Sequence, residues 1–216
     1  MTKRVAVLLS GRGSNFQSLL NASLEGSLGG VISLVISNRL GAGGLSIAQN
    51  AGIETALIDH QRYPTREAFD QDLAGAIDSA QPDLVVLAGF MRILTPEFVA
   101  CFSERLMNIH PSLLPLYPGL HTHQRALDNG DSHAGATVHY VTEELDGGPS
   151  VLQAKVPVNS GDDADALAAR VLAVEHQIYP VAINWHLCGR LTWEDGSLIK
   201  DGMPVPPSGE LWESTS

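Results

Sequence analysis

The sequence predicts an α/β fold built on a mostly parallel, doubly wound (Rossmann-like) sheet, and two observations carry this prediction. Short apolar runs alternate with helical patterns through the first half of the chain. Each run is apolar at nearly every residue, as expected for strands that helices cover on both faces. Repetition of strand and helix at this spacing implies parallel strands joined by crossover helices.

The elements of the first half follow from this pattern. The apolar runs predict strands over residues 5–9, 31–36, 55–58 and 83–88. The segments between these runs predict helices over residues 15–24, 45–51 and 65–80. The third helix has the clearest limits, because it follows Pro64 and stops before Pro82.

The second half is less regular. A strand is predicted over 105–109, and the proline-rich segment 111–119 predicts a long irregular loop. A short helix over 121–127 comes next. Two strands, over 136–141 and 150–158, are separated by a glycine-containing turn.

The last helix shows an apolar stripe over residues 167–185 with steps of three and four residues. Asp162 or Ser160 is expected to cap its start, and Pro180 is expected to kink it. From residue 201 the composition turns to Pro, Gly and Ser, which predicts a surface tail over 201–216.

Composition limits the classes of partner. The chain has 216 residues, with 13 Lys plus Arg against 24 Asp plus Glu, for a net charge of −11. This length fits a single domain, expected over 1–200. Clustered cations bind phosphate backbones, so the acidic balance argues against nucleic acid as a partner. The sequence contains no apolar stretch of about 18 residues, so no membrane span is predicted. Cys101 and Cys188 are expected to be reduced and buried, as in a cytoplasmic protein.

A small anion can still bind an acidic chain. Residues 10–15, Ser-Gly-Arg-Gly-Ser-Asn, connect the first strand to the first helix. Backbone N–H groups at a helix start can hold a phosphate without net positive charge. An ordinary tight turn is the alternative interpretation. A dinucleotide site is less well supported, because Phe16 stands where the third glycine would be, and strand two ends without an acidic residue for a ribose.

Three polar residues in the second half could carry chemistry. Asn108 and His110 lie at the carboxyl end of a predicted strand, on one face of it, where ligands of open α/β sheets bind. An amide and an imidazole can stabilise an oxyanion or move a proton. Asp146 could hold His110 in its charged form if the two lie together. The alternatives are a packed strand end and a simple Asp-Gly turn.

Other polar groups have less specific patterns. Five of the eight histidines lie between His110 and His139, but no carboxylate or cysteine pattern completes a metal site, so none is expected. Glu175 lies at the margin of the apolar stripe and could accept sugar hydroxyls. Arg66 and Arg92 lie near element ends and are either solvated cations or partners of a carboxylate ligand.

Four segments resemble one enzyme family. They are residues 85–94, 108–115, 117–123 and 144–149, which read VVLAGFMRIL, NIHPSLLP, YPGLHTH and ELDGGP. They closely resemble the phosphoribosylglycinamide formyltransferases, the folate-dependent glycinamide ribonucleotide transformylases of purine biosynthesis. The resemblance is collinear from the loop at Gly11 to about Arg190, so it covers nearly the whole chain.

The resemblance implies a sheet of about seven strands, with a nucleotide-binding half over about 1–100 and a folate-binding half over about 101–200. It implies that the phosphate of glycinamide ribonucleotide binds Gly13, Ser14 and Asn15, and that Glu175 binds the ribose. It implies that 10-formyltetrahydrofolate, the cosubstrate, contacts Arg66, Met91, Arg92, Ile93, Leu94, Asn108, Thr142, Glu143, Glu144, Leu145 and Asp146.

Asn108, His110 and Asp146 match the catalytic trio of that family. The substrate amine would attack the formyl carbon, and Asn108 and His110 would donate hydrogen bonds to the oxyanion that forms. Asp146 would hold His110 charged and, through a water, pass the amine proton to the folate nitrogen. The resemblance implies neither a metal nor ATP.

Three alternatives stay open at this stage. Methionyl-tRNA formyltransferase shares the trio but would bring another domain and positive charge for tRNA. Formyltetrahydrofolate hydrolase also shares the trio, but it would bring an extra N-terminal domain and has no use for a phosphate seat at 13–15. A non-catalytic nucleotide-binding module would keep the glycine loop and use the trio structurally.

Overall fold

A computed structural model of the chain describes residues 2–213 and divides into two compact units between Asn108 and Ile109. The first unit contains strands in the spatial order β5-β4-β1-β2-β3, all parallel to their neighbours. Strand β5 begins in the first unit and ends in the second. The strands are β1 (Arg4–Leu9), β2 (Val31–Ser37), β3 (Glu54–Leu57), β4 (Leu84–Leu87) and β5 (Leu106–His110).

Four helices belong to the described part of the first unit. They are α1 (Ser14–Leu24), α2 (Gly43–Asn50), α3 (Arg66–Ala80) and α4 (Pro96–Cys101), with a 3₁₀ turn at His60–Arg62. Strands β1 and β4 are apolar throughout their buried residues, which places them at the centre of the core. The parallel, doubly wound arrangement predicted for this half is therefore confirmed.

Helix α4 was not predicted, although its start carries a clear signal. Thr95 caps it by accepting the N–H of Phe98 at 3.2 Å, Pro96 takes the first helical position, and Glu97 lies in the first turn. These are the residues that a helix start favours. The helix is only six residues long, so no apolar period marks it.

The second unit combines antiparallel strands with a long helix. Strands β6 (His133–Tyr140) and β7 (Ser150–Pro157) are antiparallel, and helices α5 (Thr122–Asp128) and α6 (Ala164–Leu187) belong to the same unit. A small antiparallel sheet follows, made of β8 (Leu191–Glu194), β9 (Ser197–Lys200) and β10 (Met203–Pro204). This small sheet was not predicted.

The expected cap of the last helix needs revision, and the kink at Pro180 stays a prediction. Asp163 caps α6 by accepting the N–H of Ala166 at 2.8 Å, so neither Asp162 nor Ser160 is the cap. The Asp162 carboxylate is engaged elsewhere, because it accepts two hydrogen bonds from Arg170, at 2.6 and 3.0 Å. The helix continues through Pro180 to Leu187.

The segment expected to be a surface tail contains strand structure in its described part. Strand β11 (Glu210–Leu211) pairs in parallel with β7, and the N–H of Trp212 donates to the carbonyl of Gln153 at 2.7 Å. With β11, the described residues form eight strands of the large sheet, five starting in the first unit and three in the second, against the seven or so predicted. Residues 214–216 of the expected tail lie outside the described residues.

Aromatic side chains pack around the small sheet. The Lys200 ammonium lies over the Trp185 ring at 4.4 Å from its centroid, and the Arg190 guanidinium lies over the same ring at 5.6 Å. Trp193 meets Tyr140 edge-on, with ring centroids 5.1 Å apart. These contacts attach the strands after α6 to the rest of the second unit.

Cys101 and Cys188 are free thiols, but both are exposed, so the expectation of burial was wrong. Cys101 ends α4 and Cys188 follows the last turn of α6, and helix ends face solvent more often than helix centres do. No helix within residues 2–213 is long and apolar enough to cross a membrane.

Candidate active site

The glycine-containing loop between β1 and α1 leaves the helix start open. Gly13 is the N-cap residue of α1, in the left-handed region at φ 83°, and no side chain caps the helix. A Cβ at Gly13 would lie 2.7 Å from Cα of Gly44, so the backbone there is too close for any side chain. Ser14 is exposed and Asn15 is buried. A first turn without a side-chain cap and without acidic residues suits an anion.

The loop that follows β4 carries the residues expected to contact folate. Met91 and Ile93 are 60% and 59% exposed, so this short loop presents two large apolar side chains to solvent. The Arg92 guanidinium lies over the Phe69 ring, 4.7 Å from its centroid. Leu94 is half-buried, and Arg66 is exposed at the first residue of α3.

His110 and Asp146 come together, as the sequence alone could not establish. The Nδ1 atom of His110 lies 3.4 Å from Oδ2 of Asp146, and the side chains are 7% and 9% exposed. The same Oδ2 accepts the N–H of Gly119 at 2.8 Å. The carboxylate therefore contacts the imidazole and the proline-rich loop at once.

The hydrogen bonds of His110 assign its protons. Its Nε2 lies 2.9 Å from the carbonyl oxygen of Tyr117. A carbonyl only accepts, so Nε2 carries a proton in both charge states. The other ring nitrogen, Nδ1, faces Asp146.

Asp146 itself occupies a constrained turn. Its φ is 53°, in the left-handed region, which Asp and Asn tolerate better than most residues. A Cβ at Gly148 would collide with the carbonyl oxygen of Tyr140, and one at Gly147 would collide with the Glu144 side chain. The two glycines let the chain turn so that the carboxylate reaches His110.

A second histidine reaches the same carboxylate and was missed in this role. Nε2 of His139 lies 3.8 Å from Oδ1 of Asp146, and its Nδ1 donates to the carbonyl of Tyr140 at 2.9 Å. Burial lowers the pKa of His139, and the nearby Asp146 only partly opposes this. The available signal was the alternation of residues 136–141, which places Thr137 and His139 on the polar face of the strand.

The remaining predicted residues are placed individually. Asn108 lies two residues before His110 in β5, and residues at that spacing share a strand face. Thr142, Glu143, Glu144 and Leu145 are exposed in the segment that leads to Asp146. Glu175 is buried on α6. Within residues 2–213, no three His, Cys, Asp or Glu side chains are grouped as a metal site would require.

A family model described as formyl transferase matches residues 3–183, which is most of the chain. The chain belongs to the formyl transferase family. The resemblance found in the four sequence segments is therefore confirmed at the level of the family.

Individual formyl transferases extend this match over the whole length. The chain is 51% identical to phosphoribosylglycinamide formyltransferase of Escherichia coli (strain K12), over 95% of this chain and 97% of that protein. The solved phosphoribosylglycinamide formyltransferase of Coxiella burnetii superposes with a TM-score of 0.94 at 44% identity, covering 99% of this chain and 100% of that one.

A formyl transferase relative with a different name also has this fold. The solved formyltetrahydrofolate deformylase of Pseudomonas syringae pv. tomato superposes with a TM-score of 0.85 at 29% identity. The match covers 93% of this chain but 66% of the deformylase. Proteins with both names therefore share this fold, so the fold alone does not distinguish formyl transfer from formyl hydrolysis, and the residues of the site must do so.

Proposed function

We propose that this formyl transferase moves a formyl group from 10-formyltetrahydrofolate to the amine of glycinamide ribonucleotide, a step of purine biosynthesis. The proposal takes the acceptor from the names of relatives that match over nearly their full length, and the folate cosubstrate from the resemblance to that family. The observation that carries its chemistry is the buried contact of His110 with Asp146. Both partners are small molecules, and we place the reaction in the cytoplasm.

His110 is proposed to stabilise the charge that forms when the amine attacks the formyl carbon. The formyl oxygen then becomes an oxyanion, which a charged imidazole stabilises more strongly than a neutral one. The Asp146 carboxylate, at 3.4 Å from Nδ1, is proposed as the partner of the charged imidazole. Asn108, from the same strand, is proposed to add a second hydrogen bond through its side-chain amide.

One consequence for the mechanism concerns Nε2 of His110. Its N–H is bonded to the carbonyl of Tyr117, while Nδ1 faces Asp146. Donation to the substrate oxygen from Nε2 therefore requires the Tyr117 carbonyl to give up this hydrogen bond. The segment 117–119 contacts both His110, through the Tyr117 carbonyl, and Asp146, through the Gly119 N–H. The position of this segment therefore governs when Nε2 of His110 can donate to the substrate oxygen.

Asp146 is proposed to move the proton that the attacking amine must lose. One oxygen of the Asp146 carboxylate faces His110 and the other faces His139. Such a carboxylate can accept the amine proton through a water and return it to the folate nitrogen. No bond to the protein forms, and no metal takes part in this scheme.

Binding residues are proposed in the same way. The open start of α1 supports a phosphate at Gly13, Ser14 and Asn15, and Glu175 is proposed for the ribose hydroxyls. The exposed apolar side chains of the segment 91–94 support a folate ring there, with residues 142–145 as further contacts and Arg66 toward the folate carboxylates. We also keep the proposed halves, nucleotide binding over about 1–100 and folate binding over about 101–200.

The experiment incubates the protein with 10-formyltetrahydrofolate and follows the deformylated folate, with and without glycinamide ribonucleotide. We expect release of folate only when the ribonucleotide is present, together with one formylated ribonucleotide per folate released. Release without the ribonucleotide would identify a hydrolase. No release in either reaction would identify a non-catalytic module and refute the proposal.

A further inference from the structure

Two buried polar side chains, Ser10 and Asp70, hold the ends of the segment 91–94, and neither is among the residues predicted to contact a substrate. The Ser10 hydroxyl accepts the N–H of Met91 at 2.8 Å. The Asp70 carboxylate accepts the N–H of Thr95 at 2.6 Å through Oδ2. Ser10 is 5% exposed and Asp70 is 3% exposed, so water does not compete well for either hydrogen bond.

The segment has few other means of fixing its backbone. Met91 and Ile93 are mostly exposed, so their side chains do not pack it in place. Arg92 reaches back over Phe69, but a stacked guanidinium leaves the backbone free to shift. The two buried hydrogen bonds at its ends therefore determine where its exposed apolar side chains stand.

Ser10 is itself fixed in a single orientation. Its hydroxyl donates to Oδ1 of Asn38 at 2.6 Å, and its backbone N–H donates to the carbonyl of Gly89 at 3.1 Å. The backbone of Asn38 is in turn held by His60, whose Nδ1–H donates to the Asn38 backbone carbonyl at 2.7 Å. The hydroxyl thus uses its donor on Asn38 and an acceptor site on Met91, and rotating it would break both bonds.

Asp70 is held less completely, which indicates a role other than packing. Its Oδ1 is buried without a hydrogen-bond partner. Burial raises the pKa of Asp70, while Thr95, Arg92 and Arg66 oppose the rise. A buried carboxylate with an unsatisfied oxygen destabilises a fold, so packing alone does not account for an aspartate at this position. Thr95 also caps α4, so Asp70 fixes the point where the segment ends and the helix begins.

We propose that Ser10 and Asp70 are positioning residues for the folate cosubstrate, acting through the backbone of the segment 91–94. This inference rests on the proposed function. It predicts that loss of either anchor weakens folate binding while binding of the ribonucleotide changes little. A purely structural role would affect both substrates and the thermal stability together.

The first test compares Ser10→Ala with Ser33→Ala. Ser33 is the control, because its hydroxyl lies in the same unit and donates to the backbone carbonyl of Val5 at 3.4 Å, whereas the Ser10 hydroxyl bonds the Asn38 side chain and the Met91 N–H. We expect Ser10→Ala to raise the KM for 10-formyltetrahydrofolate about 10-fold, the size of one lost hydrogen bond. We expect the KM for glycinamide ribonucleotide to stay within about twofold in both variants.

Amide hydrogen exchange gives a readout that does not depend on activity. In Ser10→Ala the Met91 amide loses its buried acceptor, so a peptide containing residues 88–96 should exchange at least about 10-fold faster than in the wild type. The same peptide should exchange at the wild-type rate in Ser33→Ala.

The second anchor is tested with two substitutions of Asp70. Asp70→Asn keeps an oxygen that can accept the Thr95 N–H, and we expect a folate KM within about threefold of wild type. Asp70→Ala removes the acceptor, and we expect a rise of about 10-fold. This pair keeps the test decisive if Ser10→Ala does not fold.

Three results would overturn the proposal in an enzyme whose wild type is active. They are an unchanged folate KM in both Ser10→Ala and Asp70→Ala, an equal rise in the KM of both substrates, and unchanged exchange of residues 88–96. An inactive wild type would instead refute the proposed function and leave the exchange experiment as the test of the two anchors.

Discussion

The two units of this chain form their sites by different means. In the first unit, the predicted phosphate seat is made of backbone at a helix start, and the loop beside it is held by single buried hydrogen bonds. In the second unit, the proposed chemistry depends on side chains, and Asp146 lies within 4 Å of both His110 and His139. A site made of backbone N–H groups tolerates many substitutions provided that the backbone conformation is kept. A site made of side chains tolerates few substitutions of those side chains.

The largest expected effect is in the second unit. His110→Ala and Asp146→Asn should each lower kcat/KM by at least about 10²-fold, because each removes a group that is proposed to act in the transition state. Asn is the suitable replacement at 146, since it tolerates the left-handed φ of 53° and can still accept the Gly119 N–H. Steady-state kinetics on both substrates measures the loss.

His133→Ala is the matched control for this prediction. His133 is exposed on β6 and contacts only Ser132 among the described polar partners, at 3.0 Å. We expect its kcat/KM to remain within about twofold of wild type. Activity near wild type in His110→Ala or Asp146→Asn would remove that residue from the mechanism.

The next effect tests the shape of the first unit. Gly13→Ala places a Cβ 2.7 Å from Gly44 Cα at a φ of 83°, so it should lower the free energy of unfolding by about 1–3 kcal/mol. It should also raise the KM for glycinamide ribonucleotide more than that for folate. Chemical denaturation and kinetics measure the two effects.

A second glycine in the same unit should respond in the opposite direction. Gly75 lies within α3, and nothing stands within 4 Å of a Cβ built there. Gly75→Ala should therefore raise the free energy of unfolding by about 0.5–1 kcal/mol, the usual gain inside a helix. Destabilisation by both substitutions would show that the tight contact at Gly13 is not what matters.

The smallest effect concerns pH and the start of α6. Hydrogen bonds from Arg170 hold the pKa of Asp162 at about 2, below its ordinary value of 3.8. Because the Asp162 carboxyl has a lower pKa in the folded chain, its ionised form stabilises the fold at pH values above 3.8. This contribution disappears as the pH falls through about 2. Asp162→Asn should therefore lower Tm at neutral pH, with a difference from wild type that shrinks between about pH 4 and pH 2.

Asp165→Asn removes the same charge from the first turn of the same helix without touching the Arg170 pair. We expect its Tm to differ less from wild type than that of Asp162→Asn. A Tm difference for Asp162→Asn that is independent of pH would contradict the ion-pair explanation.

The same contrast explains what the sequence could predict. Buried parallel strands are apolar runs, so β1, β2 and β4 were found within a residue or two. The glycine loop was visible because backbone sites leave local motifs. Strand β11, the small sheet after α6 and the six-residue α4 were missed, because short exposed strands and very short helices carry no period.

The candidate site could be predicted only through its resemblance to a family. Nothing local in the sequence places Asp146 beside His110, since a long loop, a helix and a strand lie between them. His139 was visible as a polar residue on a strand face, but its approach to Asp146 depends on the turn at Gly147 and Gly148. The catalytic roles of Asn108, His110 and Asp146 stay predictions, as do the roles of the ribonucleotide residues and the folate residues.

The placement of the aromatic residues around the small sheet has a spectroscopic consequence. All three tryptophans of the chain, Trp185, Trp193 and Trp212, follow Asn108, so tryptophan emission reports on the second unit alone. Far-ultraviolet circular dichroism sums the helices of both units. A thermal melt recorded by both signals would therefore show, without any label, whether the backbone site and the side-chain site are lost at one temperature or at two.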